Sequence, residues 1–389
     1  MTAAKDRPAE IRGLTGARAL PPLLLVLYHY HEGHGYQHWR VFDVFVAKSY
    51  LWVEFFFALS AFVLVHVYGP RMRALWTARG YGDFLKARLA RLYPVHLAML
   101  LILLAMMIAL RALAAWGGYV SVFDLAAYHP HTGVTSFVAN LFLVQAWHLF
   151  PYLTWNGVAW FVSVEVFLCL VFPVYAWLAG GGAWRAMAMI LAGFAALYGL
   201  ARTSGHGLDI TYDWGVFRGL ADFAIGAGMA MLYRHAKARG ADAMPAPVIS
   251  VVQLLVAGAF LYAIYNTGWS HRPADFWVVP PMMMLILAVA FDRGALAWLL
   301  GTAPLRRLGH WSYAIYMGQT TWLMLLRFAE QRLYPGAADA HWVHIVEPAG
   351  LVIACTLWGW LLYAAVERPA NAFLRGRFAR ARMRDTAAA

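Results

Sequence analysis

The chain has 389 residues, of which 62% are hydrophobic and only 13% are charged. Soluble domains carry about 25% charged residues, and a soluble chain of this length could not bury so much apolar surface. The composition therefore excludes an ordinary soluble protein and predicts an all-α integral membrane protein in contact with a lipid bilayer. The net charge of +12 comes mostly from segments between apolar runs, which indicates membrane topology rather than binding of nucleic acid.

Ten apolar runs are long enough to cross the roughly 30 Å hydrocarbon core of a bilayer as helices. They lie near residues 14–32, 49–69, 94–114, 157–179, 186–202, 214–233, 247–267, 274–292, 309–329 and 346–366. An eleventh uncharged run at 136–150 is short for a span, so we expect a re-entrant or interfacial helix there. Together the runs predict a bundle of about ten transmembrane helices.

Basic residues are concentrated in alternate connections between these runs. Because Lys and Arg are enriched in cytoplasmic loops, we expect both termini to be cytoplasmic. The predicted organisation is a cytoplasmic N-terminal segment at 1–13, a membrane domain at 14–367 and a basic cytoplasmic tail at 368–389. Since no small-residue cleavage site follows the first run, we expect a retained helix rather than a signal peptide.

Arg18 and His29 are the first candidate functional residues. If one helix held both, their spacing of eleven residues would place them on one face, about 16 Å apart along the axis. The Pro21–Pro22 pair leaves a second alternative open, in which the helix begins at Pro21 and Arg18 lies in a loop. Arg18 could also be a basic anchor at the membrane surface.

His29 is followed by Glu32 and by His31, His34 and His38. Such a cluster could hold a metal ion, but His29, His31 and His34 do not share one helical face. We therefore predict no metal site. Two alternatives stay open for His29 itself, an interfacial histidine or a catalytic one.

Carboxylates inside the predicted spans are costly to bury, and this indicates function. Glu54 lies about one and a half turns into the second run, where it could orient a histidine or face a water-filled vestibule. Glu165 lies near mid-depth of the fourth run with no charged residue within twelve positions. We expect it to be protonated or to face water. Arg218 and Asp222, four residues apart in the sixth run, are expected to neutralise each other.

A basic stretch precedes the third run. Its apolar stripe, from Phe84 to Leu92, predicts an amphipathic helix on the cytoplasmic surface. Arg88 and Arg91, three residues apart, are spaced to bind one phosphate-bearing ligand together. Binding of lipid headgroups is the alternative that remains open for this helix.

Six motifs in chain order resemble the acyltransferase family 3 membrane proteins, bacterial enzymes that acylate envelope glycans and exopolysaccharides. The motifs are Arg18-x10-His29, Glu-Phe-Phe-Phe-x-x-Ser at 54–60, Arg88-x-x-Arg91, Trp160 with Glu165, Leu308-Gly-x-x-Ser-Tyr-x-x-Tyr316, and Glu367-Arg-Pro369. The resemblance runs from about residue 11 to 375. It implies acyl-CoA, usually acetyl-CoA, as a cytoplasmic donor substrate, with no permanently bound cofactor. It also implies a sugar hydroxyl on the outer side as the acceptor.

The resemblance also implies roles by position. His29 would be the general base, Arg18 its partner, and Arg88 and Arg91 the pair that binds CoA, while Glu54 and Glu165 match acidic positions of the family. Gln319 departs from the pattern, since a histidine is common there, and any role of that histidine is therefore in doubt.

Two alternatives to an enzyme stay open. Embedded charges would also suit a proton-coupled transporter or export component for glycans or lipids. The second alternative is a non-catalytic relative with the same fold, which is suggested by glutamine at position 319. The basic pair Arg88 and Arg91 favours the enzyme, because a carrier has no need to bind CoA phosphates. Forms without an attached extracytoplasmic domain commonly serve exopolysaccharide or cellulose-type assembly. The expected setting is thus the bacterial inner membrane, with a polysaccharide synthase or export complex as partner.

Overall fold

The computed structural model describes residues 9–34, 40–118, 121, 131–268, 272–333, 343–374 and 376–377. The chain over these residues is helical and contains no strand, which confirms the predicted all-α class. His38, most of the predicted N-terminal segment 1–13 and most of the predicted tail 368–389 lie outside the described residues. The two domain boundaries stay predictions.

The described residues form fourteen α-helices. They are α1 (Arg12–Ala17), α2 (Leu20–His34), α3 (Arg40–Ala47), α4 (Trp52–Tyr68), α5 (Ala78–Gly117), α6 (Val134–Leu141), α7 (Trp160–Ala179), α8 (Ala183–Thr203), α9 (Gly215–Ala238), α10 (Ala246–Thr267), α11 (Val279–Ala290), α12 (Ala295–Leu300), α13 (Ala303–Arg332) and α14 (Val343–Leu362). Short 3-10 turns precede α7 at Gly157–Ala159 and α11 at Pro273–Val278.

Eight helical stretches within the described ranges are long and apolar enough to cross a membrane. They are Phe42–Tyr68, Ala78–Gly117, Gly157–Ala179, Ala183–Thr203, Gly215–Ala238, Ala246–Thr267, Pro273–Ala290 and Val343–Leu374. Each coincides with one of the ten predicted runs. The first and ninth predicted runs are also helical, as α2 and α13, but α2 has only 15 residues and polar side chains lower the hydropathy of α13.

The third span begins earlier than the sequence predicted. A separate amphipathic helix on the membrane surface is wrong, because its residues form the first part of the 40-residue helix α5, which continues through Pro94. At 1.5 Å per residue α5 is about 60 Å long, roughly twice the thickness of the hydrocarbon core. The two ends of the apolar stripe pack inside the protein, with Phe84 1% exposed and Leu92 6% exposed, whereas Leu89 between them is 42% exposed.

The run at 136–150 is helical only in its first half. Helix α6 ends at Leu141, and turns and bends follow as far as the 3-10 turn before α7. Leu143 and His148 adopt positive φ angles of 58° and 63°, a conformation that an α-helix cannot contain. The expected re-entrant or interfacial helix is therefore present only over the first half of the run, and an irregular segment takes the second half.

The helices group into two compact units. Unit 1 comprises Met1–Thr77, Leu170–Ile210 and Val216–Ser312, and unit 2 comprises Ala78–Cys169, Thr211–Gly215 and Tyr313–Ala389. The predicted site residues divide between the two. Arg18, His29 and Glu54 belong to unit 1, whereas Arg88, Arg91 and Glu165 belong to unit 2.

Small residues allow close helix packing in unit 1. A Cβ atom at Gly193 of α8 would lie 2.6 Å from the backbone oxygen of Ala221 on α9. Gly226, also on α9, lies equally tightly against the backbone of Ala58 on α4. Such contacts are typical of membrane helices, whose association depends on close backbone approach rather than on the hydrophobic effect.

Candidate active site

Arg88 and Glu165 form an ion pair within unit 2. Arg88 projects from α5 and its Nη2 lies 2.7 Å from Glu165 Oε1 on α7. The arginine side chain is 17% exposed and the glutamate side chain is 3% exposed. The nearly buried carboxylate of Glu165 therefore fixes the position of the Arg88 guanidinium, which remains partly exposed at the surface.

This pair corrects two expectations from the sequence. Glu165 has a cationic partner, and the sequence did not show it because Arg88 lies 77 positions earlier in the chain. Arg88 in turn is not a headgroup-facing residue of a surface helix, since the continuous helix α5 brings it alongside α7. The fold thus brings together Arg88 and Glu165, two predicted site residues that belong to different motifs.

Arg91 lies one turn further along α5, near Tyr313 and Glu367. The charges of Arg91, Glu165 and Glu367 all lie close enough to Tyr313 to act on it. The hydroxyl group of Tyr313 donates to the backbone oxygen of Leu92 at 2.6 Å. Both Tyr313 and Glu367 belong to motifs that carried the family resemblance, and that was the only sequence signal for them.

His29 lies near the end of α2 in unit 1. Its Nδ1 is 2.9 Å from Glu32 Oε2, one turn further along the same helix, and the two side chains are 28% and 47% exposed. Tyr28 packs edge-on against the imidazole with the ring centroids 5.2 Å apart. A carboxylate at Nδ1 favours the tautomer with its proton there, which leaves the Nε2 lone pair available to accept a proton.

Arg18 lies in the turn at 18–19 between α1 and α2. The alternative with one helix through Arg18 and His29 is wrong, and the alternative with a break near the prolines is confirmed. Helix α2 begins at Leu20, so Pro21 and Pro22 occupy its first turn, where their missing N–H groups would have no helical partner anyway.

Glu54 is bound to Arg218 rather than to a histidine. Arg218 Nε and Nη2 donate to the two carboxylate oxygens of Glu54, both at 2.7 Å, and its remaining donors reach the backbone oxygens of Ile210 and Tyr50. Both side chains are at most 1% exposed. The expected neutralisation of Arg218 by Asp222 is therefore only part of the arrangement: the bidentate geometry directs the guanidinium to Glu54 on α4, while the charge of Asp222 acts on it without a hydrogen bond. The Asp222 carboxylate has no hydrogen-bond partner in the described part of the chain.

A second buried cluster in unit 1 was not predicted. Lys48 Nζ lies 2.8 Å from both carboxylate oxygens of Asp275, and the hydroxyl of Tyr50 donates to the same carboxylate at 2.5 Å. The backbone N–H of Arg272 completes it at 3.1 Å. No motif in the sequence marked Lys48 or Arg272 as a site residue. This cluster fixes the entry into α11 and the start of the Phe42–Tyr68 span.

Comparisons with known proteins place the chain in a family. An acyltransferase domain model matches residues 11–364. The chain is 25% identical to the acyltransferase MdmB of Streptomyces mycarofaciens over 348 residues, which cover 84% of the chain and 81% of that protein. It is 39% identical to protein 2 in the picA locus of Rhizobium radiobacter over 100 residues, 26% of the chain and about half (47%) of that relative. No solved structure matches. The chain belongs to acyltransferase family 3 and is a membrane acyltransferase.

Proposed function

We propose that this acyltransferase moves an acetyl group from acetyl-CoA to a hydroxyl of an envelope glycan or exopolysaccharide, with cellulose-type polymers among the candidates. The donor and the acceptor follow from the motifs that resemble the family. The observation that carries the proposal is the hydrogen bond of His29 to Glu32, since it gives an acyltransferase a partly exposed imidazole whose Nδ1 is held by a carboxylate and whose Nε2 keeps its lone pair.

The chemistry proposed at His29 is general base catalysis. The Nε2 lone pair takes the proton of the sugar hydroxyl while the hydroxyl oxygen attacks the thioester carbonyl carbon. The new C–O bond forms, the C–S bond breaks, and CoA leaves as the thiolate, which takes up the proton from the imidazolium. Glu32 stabilises the imidazolium during this step because its carboxylate accepts the Nδ1 hydrogen bond.

The donor is proposed to bind at Arg88 and Arg91. CoA carries a pyrophosphate and a 3′-phosphate, and guanidinium groups bind phosphate oxygens with paired, charge-assisted hydrogen bonds. Glu165 acts as a positioning residue, because it holds the Arg88 guanidinium from the buried side. Acyl-CoA is thus proposed as a substrate, which is consumed in each turnover, and not as a resident cofactor.

The proposed cellular setting is the bacterial inner membrane with both termini in the cytoplasm. The excess of Lys and Arg in alternate connections supports this orientation. It would place the donor substrate on the side where acyl-CoA is made. A polysaccharide synthase or export complex is the proposed partner, since the acceptor polymer must be delivered to the enzyme.

The donor site is tested by binding of acetyl-CoA to the purified protein in detergent. Arg91→Ala removes a charge-assisted contact and should raise the Kd about ten- to hundredfold. Arg88→Lys keeps the charge beside Glu165 but loses the planar fork, so a smaller rise is expected.

Lys86→Ala is the matched control, because Lys86 is an exposed cation on the same helix. Its Kd should change less than twofold. Equal losses of affinity in the Lys86 and Arg91 variants would show that general positive charge, not a phosphate site, attracts the ligand.

A further inference from the structure

Several buried acceptors of unit 2 have no hydrogen-bond partner within the described residues, and four of them, on neutral side chains, lie close to one another. The four are His96 Nδ1, Asn140 Oδ1, Gln145 Oε1 and Gln319 Oε1, on side chains that are at most 3% exposed. His96 donates through Nε2 to the backbone oxygen of Asn140 at 2.8 Å, so its Nδ1 carries the lone pair. Buried acceptors of this kind are rare in folded proteins, since each costs free energy until a donor arrives.

These acceptors surround one short segment, 154–159. Asn140 donates to Thr154 Oγ1 at 2.8 Å, and Gln145 donates to the backbone oxygen of Ala159 at 3.2 Å. Gln319 lies one turn after Tyr316, whose hydroxyl donates to the backbone oxygen of Val158. These four acceptors therefore belong to one region of unit 2.

The distance from the Arg88–Glu165 pair to this region can be measured along the axes of two helices. His96 is eight residues after Arg88 on α5, a rise of about 12 Å, and Ala159 is six residues before Glu165, about 9 Å away along α7. The two helices thus lead from the ion pair to the same region. A ligand bound at the arginines would have to extend by about that length to reach the acceptors.

We propose that these acceptors bind the amide groups of the pantetheine arm of acyl-CoA. The arm contains two amide N–H groups, six and ten bonds from the nearest phosphorus, which in an extended chain is about 7 Å and about 12 Å. It also carries one hydroxyl. The second amide reaches the depth of these acceptors, and amide N–H groups are the hydrogen-bond donors that the acceptors lack. The inference rests on the proposed donor site, and it adds Gln145 and Gln319 as residues that recognise the arm.

The presence of Gln319 then has a chemical reason. A glutamine oxygen accepts a hydrogen bond from an amide without changing its own charge, so it can bind the arm without taking part in proton transfer. A purely apolar ligand would leave all four acceptors unsatisfied and is therefore disfavoured in this region.

The test is binding of two probes, acetyl-CoA and S-acetylpantetheine, to the full-length protein in detergent. S-acetylpantetheine keeps both amides but lacks the phosphates. In the variant Gln145→Met with Gln319→Met, both Kd values should rise by the same factor, about three- to tenfold. Arg91→Ala should weaken acetyl-CoA alone. The double variant also loses the two Nε2 donations to the backbone oxygens of Ala159 and Tyr316, so it should melt below wild type. The decrease should be smaller than in the matched control, which loses donated and accepted bonds alike.

Gln253→Met is the control for losing a buried glutamine. Gln253 is equally buried, but its Oε1 accepts the backbone N–H of Leu296 at 3.0 Å. This variant should melt at a lower temperature and bind both probes as wild type does.

Unchanged binding of both probes by the double variant would overturn the inference, as would a loss confined to acetyl-CoA. A melting temperature lowered as far as in Gln253→Met would show that these oxygens have partners, which also overturns it. Wild-type protein that binds acetyl-CoA but not S-acetylpantetheine contradicts the inference alone. Wild-type protein that binds neither probe contradicts the proposed donor as well.

Discussion

Replacing Glu54 by leucine is expected to lower the free energy of unfolding by about 3–5 kcal/mol, because it leaves the Arg218 guanidinium buried without its carboxylate. The geometry is that of a fully paired site, with two bonds to Glu54 and two to backbone oxygens. Chemical unfolding of the purified protein in detergent micelles measures the change.

Asp222→Leu is the matched control, since the sequence alone would have assigned Asp222 as the partner of Arg218. Its carboxylate makes no hydrogen bond within the described residues, so the variant should be about as stable as wild type, or more stable. The double variant Glu54→Leu with Arg218→Leu should recover much of the lost stability. A large loss in Asp222→Leu and none in Glu54→Leu would restore the pairing that the sequence predicted.

Replacing His29 by glutamine is expected to lower kcat for acyl transfer about 10²- to 10⁴-fold, because it removes the proposed base. Glutamine keeps a polar side chain of similar reach but cannot take up a proton at neutral pH. The affinity for acetyl-CoA should not change, since the proposed donor residues are on other helices. Transfer of radiolabelled acetyl groups and equilibrium binding, measured on the same preparation, separate the two effects.

Glu32→Gln provides the graded comparison. It keeps the side-chain shape but removes the charge that faces Nδ1, so a smaller loss of kcat is expected than for His29→Gln. If His29→Gln transfers acetyl groups at the wild-type rate, His29 has no part in the mechanism.

Hydropathy and charge were sufficient to predict the helical class and eight of the spans, because the cost of burying backbone and charge in lipid acts on each segment separately. The break before Pro21 was also foreseeable as one of two alternatives, since proline acts locally on its own helix. The α5 helix was not foreseen, because whether its apolar stripe faces headgroups or protein depends on tertiary packing.

The partners of the embedded charges could not be predicted from helical spacing alone. Helical spacing suggested Arg218 with Asp222 and left Glu165 alone. The actual partners, Glu54 for Arg218 and Arg88 for Glu165, lie 164 and 77 positions away. The motifs nevertheless marked Glu54, Arg88 and Glu165, so the sequence identified residues whose partners only the fold could supply.

The central claim is tested most directly by wild-type protein reconstituted in lipid vesicles with radiolabelled acetyl-CoA and glycan oligosaccharides. The account predicts that the label becomes bound to the oligosaccharide as an ester that mild alkali releases, and that His29→Gln reduces it at least a hundredfold. Label or glycan that crosses the membrane without forming an ester would contradict the account and would indicate a carrier.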